Sequence, residues 1–346
     1  MDVGRRRVTV LLTLSVLALV VVSVLGLVVG SVAIPARDAL GYLWADLVGG
    51  HVAATGVPGY RIVVESRLPR VLTGAAAGAG LGVAGVVIQA VVRNALADPY
   101  VLGISSGASV GATGVVLFGA LGGLGVYALP TAAFLGALVA TLVVLILART
   151  ASGLEPLRLV LMGTALGYGF SAITTVLVFL APAGDAARSV MFWLLGSLAA
   201  SDWHSVWLVA TVAALGSGLA LLVARHLDAL AMGDDVAASL GVDAGRFRLV
   251  LFLGAAAVVG IIVSVCGAIG FVGLVLPHVA RLLVGAGHRR VLLLTPVLGA
   301  AFLVAADIVA RSMVPPYDLP IGAITAAVGV PAFILLMQRR HRAGTR

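Results

Sequence analysis

Ten apolar runs, most of them about 20 residues long, follow one another and leave little of the chain for anything else. They are Val8–Ala33, Val71–Val92, Val101–Leu121, Ala128–Ala148, Leu159–Ala181, Val206–Ala224, Leu249–Ile269, Phe271–Gly285, Val291–Ala310 and Ile321–Met337. A bilayer core about 30 Å thick takes about 20 such residues per helix, and in lipid only helices or closed barrels satisfy their own backbone. The pattern therefore predicts an all-α, polytopic membrane protein. Only 10% of residues are charged and the mean hydropathy is +1.18, against about 25% charged in a soluble globule. The whole chain reads as one transmembrane domain, 1–346, with extracytoplasmic loops at 34–66 and 182–203 and a polar cytoplasmic connection at 228–247.

Several boundaries are set by local chemistry. Arg5-Arg6-Arg7 precedes a first run longer than the 7–15 residues of a signal-peptide core, so that run reads as a retained helix. The Ile34–Ser66 segment is polar enough to lie outside lipid, with a short interfacial helix around Leu40–Leu47. Leu249–Gly285 would make a single helix of about 55 Å, too long for one span, and the Gly267–Gly273 cluster is its natural break. Cys266, the single cysteine, lies inside an apolar run and reads as a small buried hydrophobe. Glycines spaced as Gly74, Gly78 and Gly82 suit close helix–helix contact. The echo between Gly74-Ala-Ala-Ala and Gly254-Ala-Ala-Ala leaves open whether the chain is internally repeated.

All 22 basic residues are arginine. A Walker A phosphate loop needs a lysine, so this chain cannot itself be a P-loop ATPase. The arginines lie in short clusters between apolar runs, which excludes a nucleic-acid stripe and reports topology instead. With the N-terminus in the cytoplasm, 15 of the 22 arginines fall inside, six fall outside and Arg281 lies near the inner end of its helix. Both termini are then cytoplasmic, which fits an even number of spans in the cell (inner) membrane.

The stretch Arg93–Ser109 places charge, amide, proline and hydroxyls between two apolar runs, which no lipid-facing helix tolerates. Broken backbone at that position must be satisfied by protein or by water in a cavity, so the segment marks a pathway, a gate or a docking surface. Gln89, just before it, either lines the path or bridges two helices; the residues leave both open. Met232–Asp243 predicts a short cytoplasmic helix with Asp234 and Asp235 in its first turn and Gly241 as its cap. Val236, Leu240 and Val242 would show the cytosol a small apolar face, for which a partner is the economical explanation. His278 stands without companions and reads as a hydrogen-bonded histidine at a helix end rather than a metal ligand.

Together, Arg67-Leu-Pro-Arg70, the Asn94–Ser109 segment, Gly163–Gly167, Gly233–Gly241, Gly267–Arg281, Ala306–Arg311 and Leu319–Gly322 resemble the FecCD-type permeases. These are membrane subunits of ABC importers for ferric siderophores, haem and vitamin B12. The resemblance implies the type II ABC importer permease fold, a homodimer of ten-helix subunits, two cytoplasmic ATPase subunits and an external substrate-binding protein. It implies no cofactor on this chain, with ATP-Mg held by the ATPase, and no nucleic-acid partner. Asn94 and Leu96 match the family's cytoplasmic gate, although Ala95 stands where proline is usual. Arg67, Arg70 and Arg311 match its outward arginines for docking the binding protein; Arg311 could equally pair with Asp307 one turn away. Asp234, Asp235, Ser239, Leu240 and Gly241 match the helix that couples to the ATPase. Glu155, Pro156 and Leu157 replace the small hydroxyl residues usual at a second inner-gate element, and no role is carried onto them. The form of Asp98–Ser106 ranks ferric siderophore first, haem second and cobalamin third.

Two other functions compete. A secondary transporter driven by an ion gradient usually buries acidic coupling sites, and Asp307 is the one acid well inside an apolar run. An intramembrane enzyme lacks support in paired aspartates, a His-Glu-x-x-His helix or a Ser/His dyad.

Overall fold

In a computed structural model, residues 2–30, 32–150, 153–181 and 184–344 are described. Pro182, which opens the expected outer excursion, and Arg346, counted among the inner arginines, lie outside the described residues. Each of the ten apolar runs becomes a helix. They are α1 (Asp2–Val28), α4 (Leu68–Val91), α5 (Ile104–Phe118), α6 (Ala128–Ala148), α7 (Pro156–Phe179), α9 (Trp203–Leu222), α12 (Ala244–Cys266), α13 (Val272–Val284), α14 (His288–Ser312) and α15 (Ile321–Gly344). Between them lie α2 (Ala36–Val48), α3 (Val57–Tyr60), α8 (Gly184–Leu194), α10 (Ala224–Met232) and α11 (Asp234–Ser239). A π-helical turn, Arg61–Arg67, joins α3 to α4. Among the described residues, seven helices are long and apolar enough to cross a membrane, while α5, α13 and the apolar part of α15 are shorter. The chain is a multi-pass membrane protein.

α4 is the hub. It is buried along most of its length and packs against α9, α12, α13 and α14. The glycine stripe largely does what its spacing predicts: Gly78 meets Gly299 and Gly82 meets Thr295, both on α14, while a Cβ on Gly74 would meet Leu198 at 2.9 Å and Val304 of α14 at 3.8 Å. With no side chain between them, the two backbones come together and dispersion contacts replace the hydrophobic drive that lipid cannot supply. Gly107 and Gly136 make the equivalent crossing of α5 and α6. The two Gly-Ala-Ala-Ala segments do not share an environment, since Gly74 is buried and Gly254 has open space around its Cα.

The long apolar stretch breaks where its glycines lie. α12 stops at Cys266, Gly267 takes φ +68°, and α13 restarts at Val272. The restart lies beside the middle of α4, because a Cβ on Gly273 would meet Leu81 O at 3.1 Å and Pro99 Cδ at 3.0 Å. Residues 92–103 therefore leave the end of α4 and turn back to its mid-length before α5 begins. That return accounts for the shortness of both α5 and α13, which start partway along the bundle.

Candidate functional site

Polar residues gather at the two ends of α4. At its C-terminal end Arg93 adopts φ +50° and the chain turns. The turn caps itself: Asn94 Oδ1 accepts from Leu96 N (2.9 Å), Asn94 N donates to Gln89 O (3.0 Å) and Ala97 N donates to Asn94 O (3.1 Å). An Asx turn of this kind holds broken backbone without a neighbouring strand or helix. Leu96 is left 40% exposed. At Asn94 an open cavity of about 390 Å³ is lined by Val92, Arg93, Asn94, Glu155, Pro156, Leu157 and Val160. Glu155, Pro156 and Leu157, to which no role was carried, thus share a wall with Asn94.

The next three residues return to the protein interior. Asp98 is buried, accepts from Tyr100 N at 2.9 Å and takes a second backbone N–H from Phe271. Tyr100 Oη accepts from Ile269 N at 2.9 Å. The Asp98-Pro-Tyr motif is thereby stapled to the α12–α13 break, and Phe271 is held at φ +68°, where a bulky residue rarely rests. Gln89 is also engaged: its Nε2 donates to Gly273 O (3.2 Å) and Leu274 O (3.4 Å), while its Oε1 accepts from Arg281 Nη1. Gln89 is 3% exposed. Of the two readings left open, the bridge between helices is the one observed.

The short helix expected within Met232–Asp243 is present as α11, close to the same turn. Asp234 and Asp235 occupy its first turn and Gly241 follows at φ +79°. Val236 and Leu240 are 38% and 62% exposed, so the apolar face does point outward. Ser239 Oγ donates back to Val236 O at 2.8 Å. Asp234 receives Arg248 Nη2 at 2.7 Å, and Arg93 Nη1 lies 3.6 Å from the same oxygen. Arg248, absent from the residues singled out in the sequence, is the largest fully buried side chain among the described residues.

The other end of α4 corrects an expectation. Arg67, Arg70 and Arg311 were expected to face outward, yet Arg67 and Arg311 are 5% and 6% exposed. Arg67 Nη1 donates to Leu27 O (2.7 Å) and Val28 O (2.9 Å), and its Nη2 to Val32 O. Arg311 Nη2 donates to Gly26 O. Gly26, Leu27 and Val28 form the last turn of α1, whose carbonyls have no intrahelical donors left and carry partial negative charge, and Val32 lies four residues beyond it. The two arginines cap that end. Arg70 instead binds two carboxylates, Asp307 at 2.8 Å and Asp318 at 2.6 Å. Arg311 Nε approaches Asp307 Oδ2 at 3.5 Å without a hydrogen bond, a loose form of the expected intrahelical pair. Only Arg70 and Asp318, with side chains 12% and 29% exposed, bring this cluster to the surface.

A family model described as the FecCD transport family matches residues 17–339. The chain is 36% identical over 317 residues to an uncharacterised ABC transporter permease of Bacillus subtilis, covering 91% of this chain and 89% of that one. It is 38% identical to the iron(3+)-hydroxamate import permease FhuB of the same species (82% and 73% covered). It is 40% identical to the vitamin B12 import permease BtuC of Vibrio cholerae (81% and 84% covered). Among solved structures, an inward-facing metal-chelate type ABC transporter superposes with a TM-score of 0.82 at 30% identity, covering 95% of this chain and 98% of that one. A self-capped break after α4, a second break after α12 and a short helix between α10 and α12 that opens on two acids are thus carried on a backbone shared with transport permeases, and the chain belongs to the FecCD transport family.

Proposed function

We propose that this protein is the membrane-spanning permease of an ATP-driven type II importer, and that it moves a large iron chelate into the cytoplasm along the interface between two copies of itself. Ferric siderophore is the first candidate, then haem and cobalamin, which accords with relatives named for iron-hydroxamate and vitamin B12 import. The α11 end faces the cytoplasm and seats an ATPase subunit on Val236 and Leu240. The Arg70 end faces outward and meets the binding protein through Arg70 and the rim around Asp318. Asn94 and Leu96 close the inner end of the path, with Leu96 as an apolar plug and the cavity at Pro156 opening at Asn94.

The observation that carries this reading is the exposed apolar face of α11 next to the self-capped Asn94 turn, because it sets a docking helix within one ion pair of a candidate gate. An ion-gradient reading finds no such support. Asp307, its candidate coupling acid, is 1% exposed and lies between Arg70 and Arg311. Reconstitution tests the proposal: uptake of ferric siderophore into proteoliposomes should require the ATPase, ATP and the binding protein together, and should be indifferent to an imposed proton or sodium gradient. Uptake driven by a gradient without ATP would refute it.

A further inference from the structure

Arg248 lies in the second turn of α12, in a position that sequence reading counts only as one more inner arginine. Its side chain is 2% exposed and makes three hydrogen bonds to three different segments. Nε donates to Val91 O at 3.0 Å, Nη1 to Leu154 O at 2.8 Å and Nη2 to Asp234 Oδ1 at 2.7 Å. Val91 is the last residue of α4, two before the Arg93 turn. Leu154 ends a two-stranded hairpin and immediately precedes Glu155, which opens α7. Both rims of the Asn94 cavity and the first residue of α11 are therefore held by one planar group.

We propose that Arg248 is the positioning residue that transmits displacement of α11 to the two rims of the inner gate; the inference rests on the roles proposed above for α11 and Asn94–Leu96. A guanidinium presents its donors in a rigid fork, so the three acceptors cannot move independently. If α11 shifts by about 1 Å, Asp234 Oδ1 passes beyond hydrogen-bond range. The guanidinium must then follow, and in following it leaves Val91 O or Leu154 O. Remaining behind is no cheaper, because it strands a buried cation from its nearest carboxylate. Two discrete arrangements result, as a coupling element requires. Arg93, whose Nη1 lies 3.6 Å from the same oxygen and whose own backbone forms the turn, supplies a second and weaker tie to Asp234. Lysine could not substitute, since a point charge on a flexible stem does not fix three acceptors in one plane.

The test uses the complete transporter, permease with ATPase and binding protein, carrying Leu96→Cys in a Cys266→Ser background. Crosslinking between copies at position 96 is measured without nucleotide and with ATP trapped by vanadate, alongside uptake per ATP hydrolysed. Asp234→Asn, at a half-exposed side chain, should reduce the difference in crosslinking between states, and the uptake per ATP, by about 5-fold or more. Asp234→Glu should restore most of both. Arg248→Lys should resemble Asp234→Asn. If Arg248→Lys does not fold, the two Asp234 variants decide the matter alone. Retention of the parent's state difference in Asp234→Asn would overturn the relay. Loss of the ATPase from purified Asp234→Asn complexes would do so too, by making Asp234 a docking contact only. A parent that crosslinks equally in both states would instead overturn the gate reading on which the relay rests.

Discussion

Gly85→Ala is the sharpest probe of how the α12–α13 break is held against α4. A Cβ at Gly85 would fall 2.6 Å from both Gly273 C and Gly273 Cα, and closer still to Gly273 O. Non-bonded carbons rest about 3.5–4.0 Å apart, so the two backbones must separate by about 1 Å or more. Neither is free to yield, because Gly273 lies in the first turn of α13 and Gly85 lies well inside α4. Overpacking of this kind costs about 1–3 kcal/mol. The separation also opens the bond from Gln89 Nε2 to Gly273 O, already 3.2 Å long, and that loss adds about 0.5–1.5 kcal/mol. A total of about 2–4 kcal/mol is expected, read as a fall in the unfolding midpoint of the purified protein in detergent. Gly254→Ala is the matched comparison: beyond its own turns of helix nothing lies within 4 Å of its Cβ position, and alanine is the better helix former by about 0.5–1 kcal/mol. The same substitution should therefore shift stability in opposite directions at the two sites. Equal midpoints for Gly85→Ala and Gly254→Ala would refute the close-approach argument.

Asp307→Asn leaves Arg311 without a carboxylate and Arg70 with Asp318 alone, and should destabilise the protein by about 3 kcal/mol, measured by the same unfolding assay. Leu240→Glu combined with Ser239→Arg should leave the permease inserted while uptake falls at least tenfold at unchanged expression; parent-level uptake would remove α11 from the ATPase contact. Asp202 caps α9 by accepting from Ser205 N (2.8 Å) and Ser205 Oγ (2.7 Å), and these bonds hold its carboxyl below the usual carboxylate range. Asp202→Ala should cost about 1 kcal/mol near neutral pH. Because the folded pKa is depressed, this contribution is present above the unfolded pKa and disappears as pH falls through the folded one, so parent and variant should converge in acid.

Most of the fold was legible because lipid imposes a simple code. Each of the ten apolar runs became a helix, the Gly267–Gly273 cluster broke α12 from α13, and Gly78 and Gly82 formed the α14 seam. α11 was legible too, since its two acids and its glycine announce both ends of a short helix. The depth to which residues 92–103 return was not. Nothing in Asp98-Pro99-Tyr100 says that its acceptors will be filled by Ile269 and Phe271, on a different helical break.

The arginines show why the polar sites resisted reading. In a chain without lysine, an arginine between apolar runs looks like a topology marker, and only the family resemblance makes Arg67, Arg70 and Arg311 docking cations. Their partners, however, are fixed by where α1 stops in space: Gly26 O lies 285 residues from Arg311 in the chain, and Leu27 O lies 40 from Arg67. A helix that ends inside the protein leaves several carbonyls without donors, and water is scarce there. One guanidinium can satisfy three acceptors at once, as Arg67 does for Leu27, Val28 and Val32 and as Arg248 does for Val91, Leu154 and Asp234. Exclusive use of arginine thus suits a fold full of interrupted helices, where the same group serves as cap and as tie. It follows that Arg67→Lys and Arg248→Lys, although they conserve charge, should each behave as loss of function, the first by freeing the end of α1 and the second by freeing α11. Arg37→Lys, at an exposed position in the first turn of α2, should be silent in both the stability and uptake assays. Equal tolerance of lysine at all three positions would show that charge alone, without the fork, is what these sites require.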